Sequence, residues 1–412
     1  MRTLRVLLAM CVVMATAIWP GGPVERAGGA TPSRYVTGWV PVWNGVGAAS
    51  IPSAAPLMSQ ASPFNYEATS AGTIRMPYGT GNLGSVASAL RSGGIAVIAS
   101  ITDGTASGVM AGILADPTSR TAHVDAIQRL VETGVGGFPY DGVDLDYEGF
   151  AFADPRSTWA STTEAWVAFV KELSARLRAM VPPRLLTVTI PPEWSVSWDY
   201  PVYAQARIID DIDHLRLMVY DYNVSSAGPI APASWLADVI TTTRSLVGAA
   251  NLHKVQIGVP THGRSWARVV SGECPAGTDL KTVQLNMKTA AALVDSTGAV
   301  PQRHSSGEMT FSYDVTVTGV GSGVVAPDPY VPPPVVADSL VPADPGVLRP
   351  ARRLRIVSCT VRRTVYYQDV EAVVARARAA ITAGTGGIAV WAFGYEVPEL
   401  WPALAAIAPT DA

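Results

Sequence analysis

Short apolar runs alternate with segments of helical length along most of the chain. The run at 94–100 (GIAVIAS) is apolar without interruption, which is typical of a parallel strand buried on both faces. Segments 83–92 and 124–133 lie between such runs and have the length of helices. This alternation of strand and helix predicts a parallel α/β architecture.

Eight strands can be placed in this way. A helix is also predicted after the fourth strand, where residues 161–164 (STTE) match a capping box and precede apolar positions at helical spacing. Eight strands with helices between them predict a (β/α)8 TIM barrel, in which the chemistry lies at the C-terminal strand ends. The predicted strands are 35–43, 64–68, 94–100, 141–148, 185–190, 214–222, 254–260 and 387–393.

The stretch between the seventh and eighth strands, residues 267–365, is too long for an ordinary loop. It contains strand-like segments at 308–313 and 361–367, and it is dense in proline over 326–350. We therefore expect a small α+β insertion with a Pro-rich loop. Residues 31–266 would carry barrel strands one to seven, and residues 366–412 strand eight and the final helix.

The first 30 residues have the pattern of a secretory signal peptide. Arg2 and Arg5 precede an apolar run over 6–18 that is too short to span a membrane. We expect this segment to be cleaved and the mature protein to be secreted, with no stable membrane insertion. An uncleaved N-terminal anchor is the alternative.

Composition narrows the class of partner. Charged residues make up 15% of the chain and the formal net charge is -3, so no strongly basic surface indicates nucleic acid. Loss of Cys11 with the signal leaves Cys274 and Cys359, for which a disulfide and two free buried thiols both fit. The five histidines and these cysteines show no metal-ligand spacing, so we expect no metal or other cofactor. A monomer is expected.

The fourth strand carries the most informative motif, residues 141–148 (DGVDLDYE). Because strand side chains alternate faces, Asp144, Asp146 and Glu148 share one face. Like charges so close together cannot all ionise, so at least one pKa must rise, which suits a general acid near neutral pH. Strands disfavour Asp, so this acidic row indicates a functional site. A solvated sheet face and a cation site are the alternatives.

This run resembles the DGxDxDxE signature of glycoside hydrolase family 18, which includes chitinases, endo-β-N-acetylglucosaminidases and catalytically silent lectin-like relatives. Residues 218–222 (MVYDY) resemble the family's MxYD pattern. Residues 258–266 (GVPTHGRSW) resemble G[IV]PxYGRxW, with His262 in place of Tyr. Residues 389–391 (AVW) resemble the segment whose Trp floors the sugar site, whereas the third strand has 99–102 (ASIT) where Ser-x-Gly-Gly is common.

The resemblance implies substrate-assisted retaining catalysis, in which the 2-acetamido carbonyl of the substrate attacks the anomeric carbon. Glu148 would protonate the leaving oxygen and later deprotonate water. Asp146 would hold the acetamido N–H, and Asp144 would take up or release the shared proton. Tyr220 would hold the acetamido oxygen in line for attack.

Five residues are expected to bind substrate by the same resemblance. Trp391 would offer a flat apolar face to a pyranose ring, and Asp221 would bind the acetamido group or the water. Arg264 would be either a substrate contact or a clamp on Asp221. Trp43, Trp194 and Trp198 are expected to be either structural or at the rim. The expected substrate-binding residues are Asp221, Trp391, Tyr222, Arg264 and Trp39.

The function implied is that of a secreted hydrolase of β-1,4-linked N-acetylglucosamine polymers, either chitin or the glycan strands of peptidoglycan. A polysaccharide that contains N-acetylglucosamine is thus the expected partner. Two alternatives stay open: a lectin-like glycan-binding protein on the same barrel, and an endo-acting enzyme on N-linked glycans.

Overall fold

A computed structural model describes residues 34–43, 45–193, 200–325 and 353–409. The predicted signal segment, the proline-dense run at 326–350, Trp194 and Trp198 lie outside the described residues. The strands are β1 (Val36–Pro41), β2 (Gln60–Ser70), β3 (Thr73–Arg75), β4 (Ala96–Asp103), β5 (Gly142–Asp146), β6 (Leu185–Ile190), β7 (His214–Leu217), β8 (Val255–Pro260), β9 (His262–Gly272), β10 (Val283–Asn286), β11 (Gln302–Arg303), β12 (Met309–Val325), β13 (Arg353–Tyr367) and β14 (Ile388–Trp391).

The helices lie mostly between the barrel strands, and short 3-10 turns accompany them. They are α1 (Val46–Ala54), α2 (Leu83–Ser92), α3 (Val109–Ala115), α4 (Pro117–Thr133), α5 (Gly149–Phe152), α6 (Trp159–Arg178), α7 (Gln205–Ile208), α8 (Ala233–Val247), α9 (Met287–Thr297), α10 (Val370–Thr382) and α11 (Leu400–Ala405).

Eight parallel strands close into a barrel, because β1 pairs with β2 on one side and with β14 on the other. The barrel order is β1, β2, β4, β5, β6, β7, β8, β14, and β3 adds an antiparallel edge to β2. All residues of β1, β5 and β8 are buried, which explains their mostly apolar sequences. The predicted TIM barrel is confirmed.

Two helix starts differ from the sequence prediction. Helix α4 begins at Pro117, capped by the Asp116 side chain, rather than near residue 124. Helix α6 begins at Trp159, so the predicted capping box at 161–164 is wrong. Trp159 is buried and donates its Nε1–H to the Phe150 carbonyl at 2.7 Å, and this packing starts the helix three residues earlier than the predicted N-cap at Ser161 implies.

The predicted α+β insertion between the last two barrel strands is confirmed. It is a five-stranded antiparallel sheet in the order β10, β9, β13, β12, β11, with α9 packed on one face. A disulfide joins Cys274 to Cys359 across this sheet. Strand β9 follows barrel strand β8 after one residue, so the insertion begins directly at the mouth of the barrel.

Over the four described ranges, no helix is both long and apolar enough to cross a membrane.

Candidate active site

The acidic row lies inside the barrel at the C-terminal end of β5. Asp144 and Asp146 are buried on the strand itself. The predicted strand runs two residues too far at its C-terminal end, because β5 ends at Asp146 and Glu148 has helical backbone angles at the start of α5. Tyr147 holds this turn in place: its hydroxyl bonds His123 Nε2 at 2.6 Å, and its carbonyl accepts the Tyr203 hydroxyl at 2.7 Å. Glu148 is left half-buried at the mouth.

Asp144 is surrounded by hydrogen-bond donors at the bottom of the row. Its Oδ2 accepts from Trp39 Nε1 at 2.9 Å, Ser100 Oγ at 3.3 Å and Arg216 Nη1 at 2.8 Å. Its Oδ1 accepts from Thr189 Oγ1 at 2.7 Å. The barrel strands β1, β4, β6 and β7 therefore each supply one donor to this carboxylate.

Burial raises the pKa of the other two carboxyls of the row, Asp146 and Glu148. Burial raises the pKa of Asp146 well above its ordinary value, the charges of Glu148 and Asp144 add to this, and Arg216 opposes it. Burial, with a further contribution from Asp221, raises the pKa of Glu148 to about 7. A carboxyl with that pKa holds a proton near neutral pH and can give it up, as a general acid must.

Strand β7 ends at Leu217, and the next residues turn into the mouth rather than continuing the predicted strand to 222. Asp221 lies in the left-handed region, with φ 61, which is rare for a non-glycine residue and is typical of functional sites. Tyr220 is half-buried beside it. Burial, then the charges of Asp146 and Glu148, raise the pKa of Tyr220 well above its ordinary value, so its hydroxyl stays a donor.

Arg264 and His262 hold Asp221 in place. Arg264 donates from Nε to Oδ1 at 3.0 Å and from Nη2 to Oδ2 at 2.7 Å, and His262 Nε2 lies 3.2 Å from Oδ1. Burial alone would raise the pKa of Asp221, but the bonds from His262 and Arg264 lower it below the ordinary value. Of the two roles left open for Arg264, the structure shows the clamp. His262, in place of the Tyr of the family pattern, is the second partner of Asp221.

A cavity of about 540 Å³ opens beside Glu148. The phenyl ring of Phe152, 61% exposed, meets Tyr200 edge to face at 5.5 Å between ring centroids on the cavity wall. Five predicted site residues line the cavity: Glu148, Tyr220, Asp221, Tyr222 and Arg264. The other lining residues were not predicted from the sequence; they are Phe152, Pro191, Pro192, Tyr200, Met218, Val224 and Trp235.

The aromatic residues of the mouth divide into a buried and an accessible group. Trp39 is only 1% exposed and donates to Asp144, so its predicted role as a sugar contact is corrected to that of a support for the acidic row. Trp391 is half-buried, does not line the 540 Å³ cavity, and packs edge to face on Phe64 at 4.9 Å. Phe64 contacts Trp43, which in turn contacts Tyr78, so a line of rings leads from Trp391 to the rim.

Arg216 is the most important residue that the sequence analysis missed. It is fully buried in β7 and bonds Asp144 directly. A signal was present, since Arg216 has the same strand parity as Tyr220 and interrupts an otherwise apolar segment. Among the described residues, no three His, Cys, Asp or Glu side chains are grouped so as to hold a metal ion.

Sequence comparison identifies the protein family. The sequence model of glycosyl hydrolases family 18 matches residues 69–396, most of the chain. The chain belongs to glycosyl hydrolase family 18. No curated protein matches this family 18 chain in sequence.

Solved structures of several kinds share the fold of this family 18 protein. The chitinase of Chromobacterium violaceum ATCC 12472 has a TM-score of 0.64 at 18% identity, with 90% of this chain and 97% of that one covered. The spore cortex-lytic enzyme SleL of Bacillus megaterium QM B1551 has a TM-score of 0.66 at 15% identity, covering 92% and 75%. The chitinase-like agglutinin of Robinia pseudoacacia has a TM-score of 0.61 at 14% identity, covering 90% and 98%. At such identities these likenesses show the fold alone.

Proposed function

We propose that this family 18 protein is a secreted, monomeric hydrolase of β-1,4-linked N-acetylglucosamine polymers, either chitin or the glycan strands of peptidoglycan. The observation that carries the proposal is the position of Glu148. It is a half-buried carboxyl with a pKa of about 7, on the wall of a sugar-sized cavity that also exposes Tyr220 and Asp221. This combination is what a glycosidase acid requires.

In the first proposed step, Glu148 gives its proton to the glycosidic oxygen and the bond from that oxygen to the anomeric carbon breaks. The acetamido carbonyl oxygen of the same sugar bonds to the anomeric carbon, which gives an oxazolinium ion. Asp146, whose Oδ1 has no hydrogen-bond partner among the described residues, accepts the acetamido N–H and stabilises the positive charge. The hydroxyl of Tyr220 holds the acetamido oxygen in line.

In the second step, water attacks the anomeric carbon and gives its proton to Glu148. The bond between the acetamido oxygen and the anomeric carbon breaks, which opens the oxazolinium ring, and Glu148 is protonated again. One water molecule has then been added across one glycosidic bond, with no oxidant, reductant or cofactor consumed. Asp221, clamped by Arg264 and His262, supports this arrangement as a fixed negative charge that raises the pKa of Glu148.

Product analysis on defined glycans tests the proposal. Purified protein should release shorter N-acetylglucosamine oligomers from chitohexaose, from chitin or from peptidoglycan glycan strands, as measured by mass spectrometry. The structural likeness to an agglutinin makes carbohydrate binding without cleavage the competing function. Binding of chitohexaose, measured by calorimetry, without any new reducing ends on the three substrates would select that function and reject hydrolysis.

The pH profile of hydrolysis is a second expected result. Glu148 must be protonated to act, so kcat/KM on an uncharged chito-oligosaccharide should fall above about pH 7, approaching tenfold for each further pH unit. Because the carboxyls of the row interact, the midpoint belongs to the row as a unit. Initial rates between about pH 5 and 9 measure the limb, and a profile that stays level to the alkaline end would contradict the role of Glu148.

A further inference from the structure

A buried arginine at the centre of the barrel is not explained by the catalytic roles above. The side chain of Arg216 is fully buried. Its Nη1 donates to Asp144 Oδ2 at 2.8 Å and to Ser62 Oγ at 2.7 Å, and its Nε donates to Gln256 Oε1 at 3.0 Å. The guanidinium lies over the ring of Trp39, 5.1 Å from the ring centroid. Burying a guanidinium costs free energy unless an opposite charge pairs with it. The pairing of Arg216 with Asp144 therefore requires an explanation.

The donors around Asp144 decide which form of that carboxyl fits. Trp39 Nε1 and the Arg216 guanidinium can only donate, and both donate to Oδ2. A proton on Oδ2 would face these two donors, and the hydroxyl of Ser100, 3.3 Å from Oδ2, could accept it only by reversing its present bond. A proton on Oδ1 would face Thr189 Oγ1, whose present bond would have to reverse. The surroundings therefore suit a carboxylate.

Asp146, two residues further along the strand, has the opposite surroundings. It is buried, and its Oδ1 has no hydrogen-bond partner among the described residues. Its neighbours in the row are two other carboxyls, and burial raises its pKa well above the ordinary value. The row thus has one carboxyl that accepts four hydrogen bonds and one whose buried Oδ1 accepts none from the described residues.

We propose that Arg216 is a positioning residue that keeps Asp144 ionised, so that the exchangeable proton of the row is shared between Asp146 and Glu148. This refines the proposed hydrolysis and rests on it. The resemblance had assigned uptake and release of the proton to Asp144. In the arrangement proposed here, Asp144 is a fixed anion and Asp146 is the proton store beneath the acid.

The charged and titratable groups near the acidic row and Arg216 come from several elements. Thr189 of β6 and Ser100 of β4 face the row with hydroxyls, Tyr203 after β6 interacts with the charges of Glu148 and Asp146, and Asp103 at the end of β4 lies beside Gly149. Strand β7 and the turn after it contribute His214, Tyr220 and Asp221 besides Arg216. From β9, His262 and Arg264 are both engaged with Asp221. Within the part of the chain that the structure describes, Arg216 is the cation that forms an ion pair with the acidic row itself.

The first experiment measures the pH profile after loss of this charge. Arg216→Met and Arg216→Gln both remove the positive charge, and either variant can be measured as long as it folds. Arg216→Lys keeps the positive charge. Without the positive charge the row binds protons more tightly. The alkaline limb of the kcat/KM profile should therefore shift to higher pH by about one unit. Arg216→Lys should keep the limb near its original position.

The matched control changes a second buried arginine, one that is paired with a carboxylate outside the acidic row. Arg376 lies in α10 and neighbours Glu308, with 3.5 Å between Nη2 and Oε1. Arg376→Met should lower the melting temperature without moving the limb. A folded neutral variant of Arg216 with an unmoved limb would overturn the proposal, as would an equal shift in Arg216→Lys.

A second experiment tests the pair without reference to activity. Asp144→Asn leaves a buried cation unpaired and Arg216→Met leaves a buried anion unpaired, whereas the double variant leaves neither. The double variant should therefore lose less melting temperature than the two single losses added together. Additive losses would show that the pair is not coupled. If the native protein cleaves no glycan, the proposed function fails, and this cycle still decides the pairing.

Discussion

Replacing Glu148 with glutamine is expected to lower kcat on chito-oligosaccharides by about 10³-fold, while binding is largely retained. Glutamine has nearly the shape of the acid but no proton to give, and Glu148 is the carboxyl that reaches the cavity with a pKa of about 7. Single-turnover rates and calorimetry on the same oligomer separate the two effects. The matched control is Glu132→Gln, exposed at the end of α4, which should keep the native rate.

The same Glu148 variant has an expected signature in stability. Because the pKa of Glu148 is raised on folding, the native state binds this proton more tightly than the unfolded chain, and stability is lost as pH rises from about 4.5 to 7. The glutamine variant lacks this loss. The melting temperature of the variant, relative to that of the native protein, should therefore increase as the pH rises from about 5 to 8. Full activity in the variant, or a difference that does not change with pH, would refute the environment assigned to Glu148.

Asp146→Asn is expected to lower kcat by about 10²-fold or more, with a smaller change in KM. The variant keeps the size of the side chain but loses the negative charge that stabilises the oxazolinium ion and the site that holds the shared proton. Burst and steady-state rates on a chromogenic chitobioside measure the effect. Asp238→Asn, on the exposed side of α8, makes the same chemical change without touching the barrel interior. A loss confined to KM would assign Asp146 to binding alone.

Much of the fold could be predicted from the sequence because barrel strands have strong local signals. Strands β6 and β8 are apolar runs of strand length, and their predicted bounds agree with the structure to within one residue. The acidic row could be predicted because its three acids stand at every second position, which places them on one face of a strand. The helix start at Trp159 was missed because a tertiary contact of the indole outweighs the local capping pattern.

The supports of the site were harder to predict than its acids. Whether a tryptophan at a strand end faces the substrate or the interior depends on neighbours from distant strands, and Trp39 turned out to bond Asp144. Arg216 has the right parity, but its partner lies 72 residues away in the sequence. Pairings of this kind arise only when the barrel closes, which is why they could not be read from local patterns.

Strand β9 has a consequence for attempts to simplify this protein. Its first residues, His262 and Arg264, hold Asp221 at the barrel mouth, while its later residues pair with β13 as far as Cys359. One strand thus belongs to both the catalytic end of the barrel and the five-stranded sheet beside it. A shortened barrel made by excising that sheet would delete the neighbours that hold Asp221 in its left-handed turn, so the appended sheet is a part of the catalytic apparatus that protein engineers should leave whole.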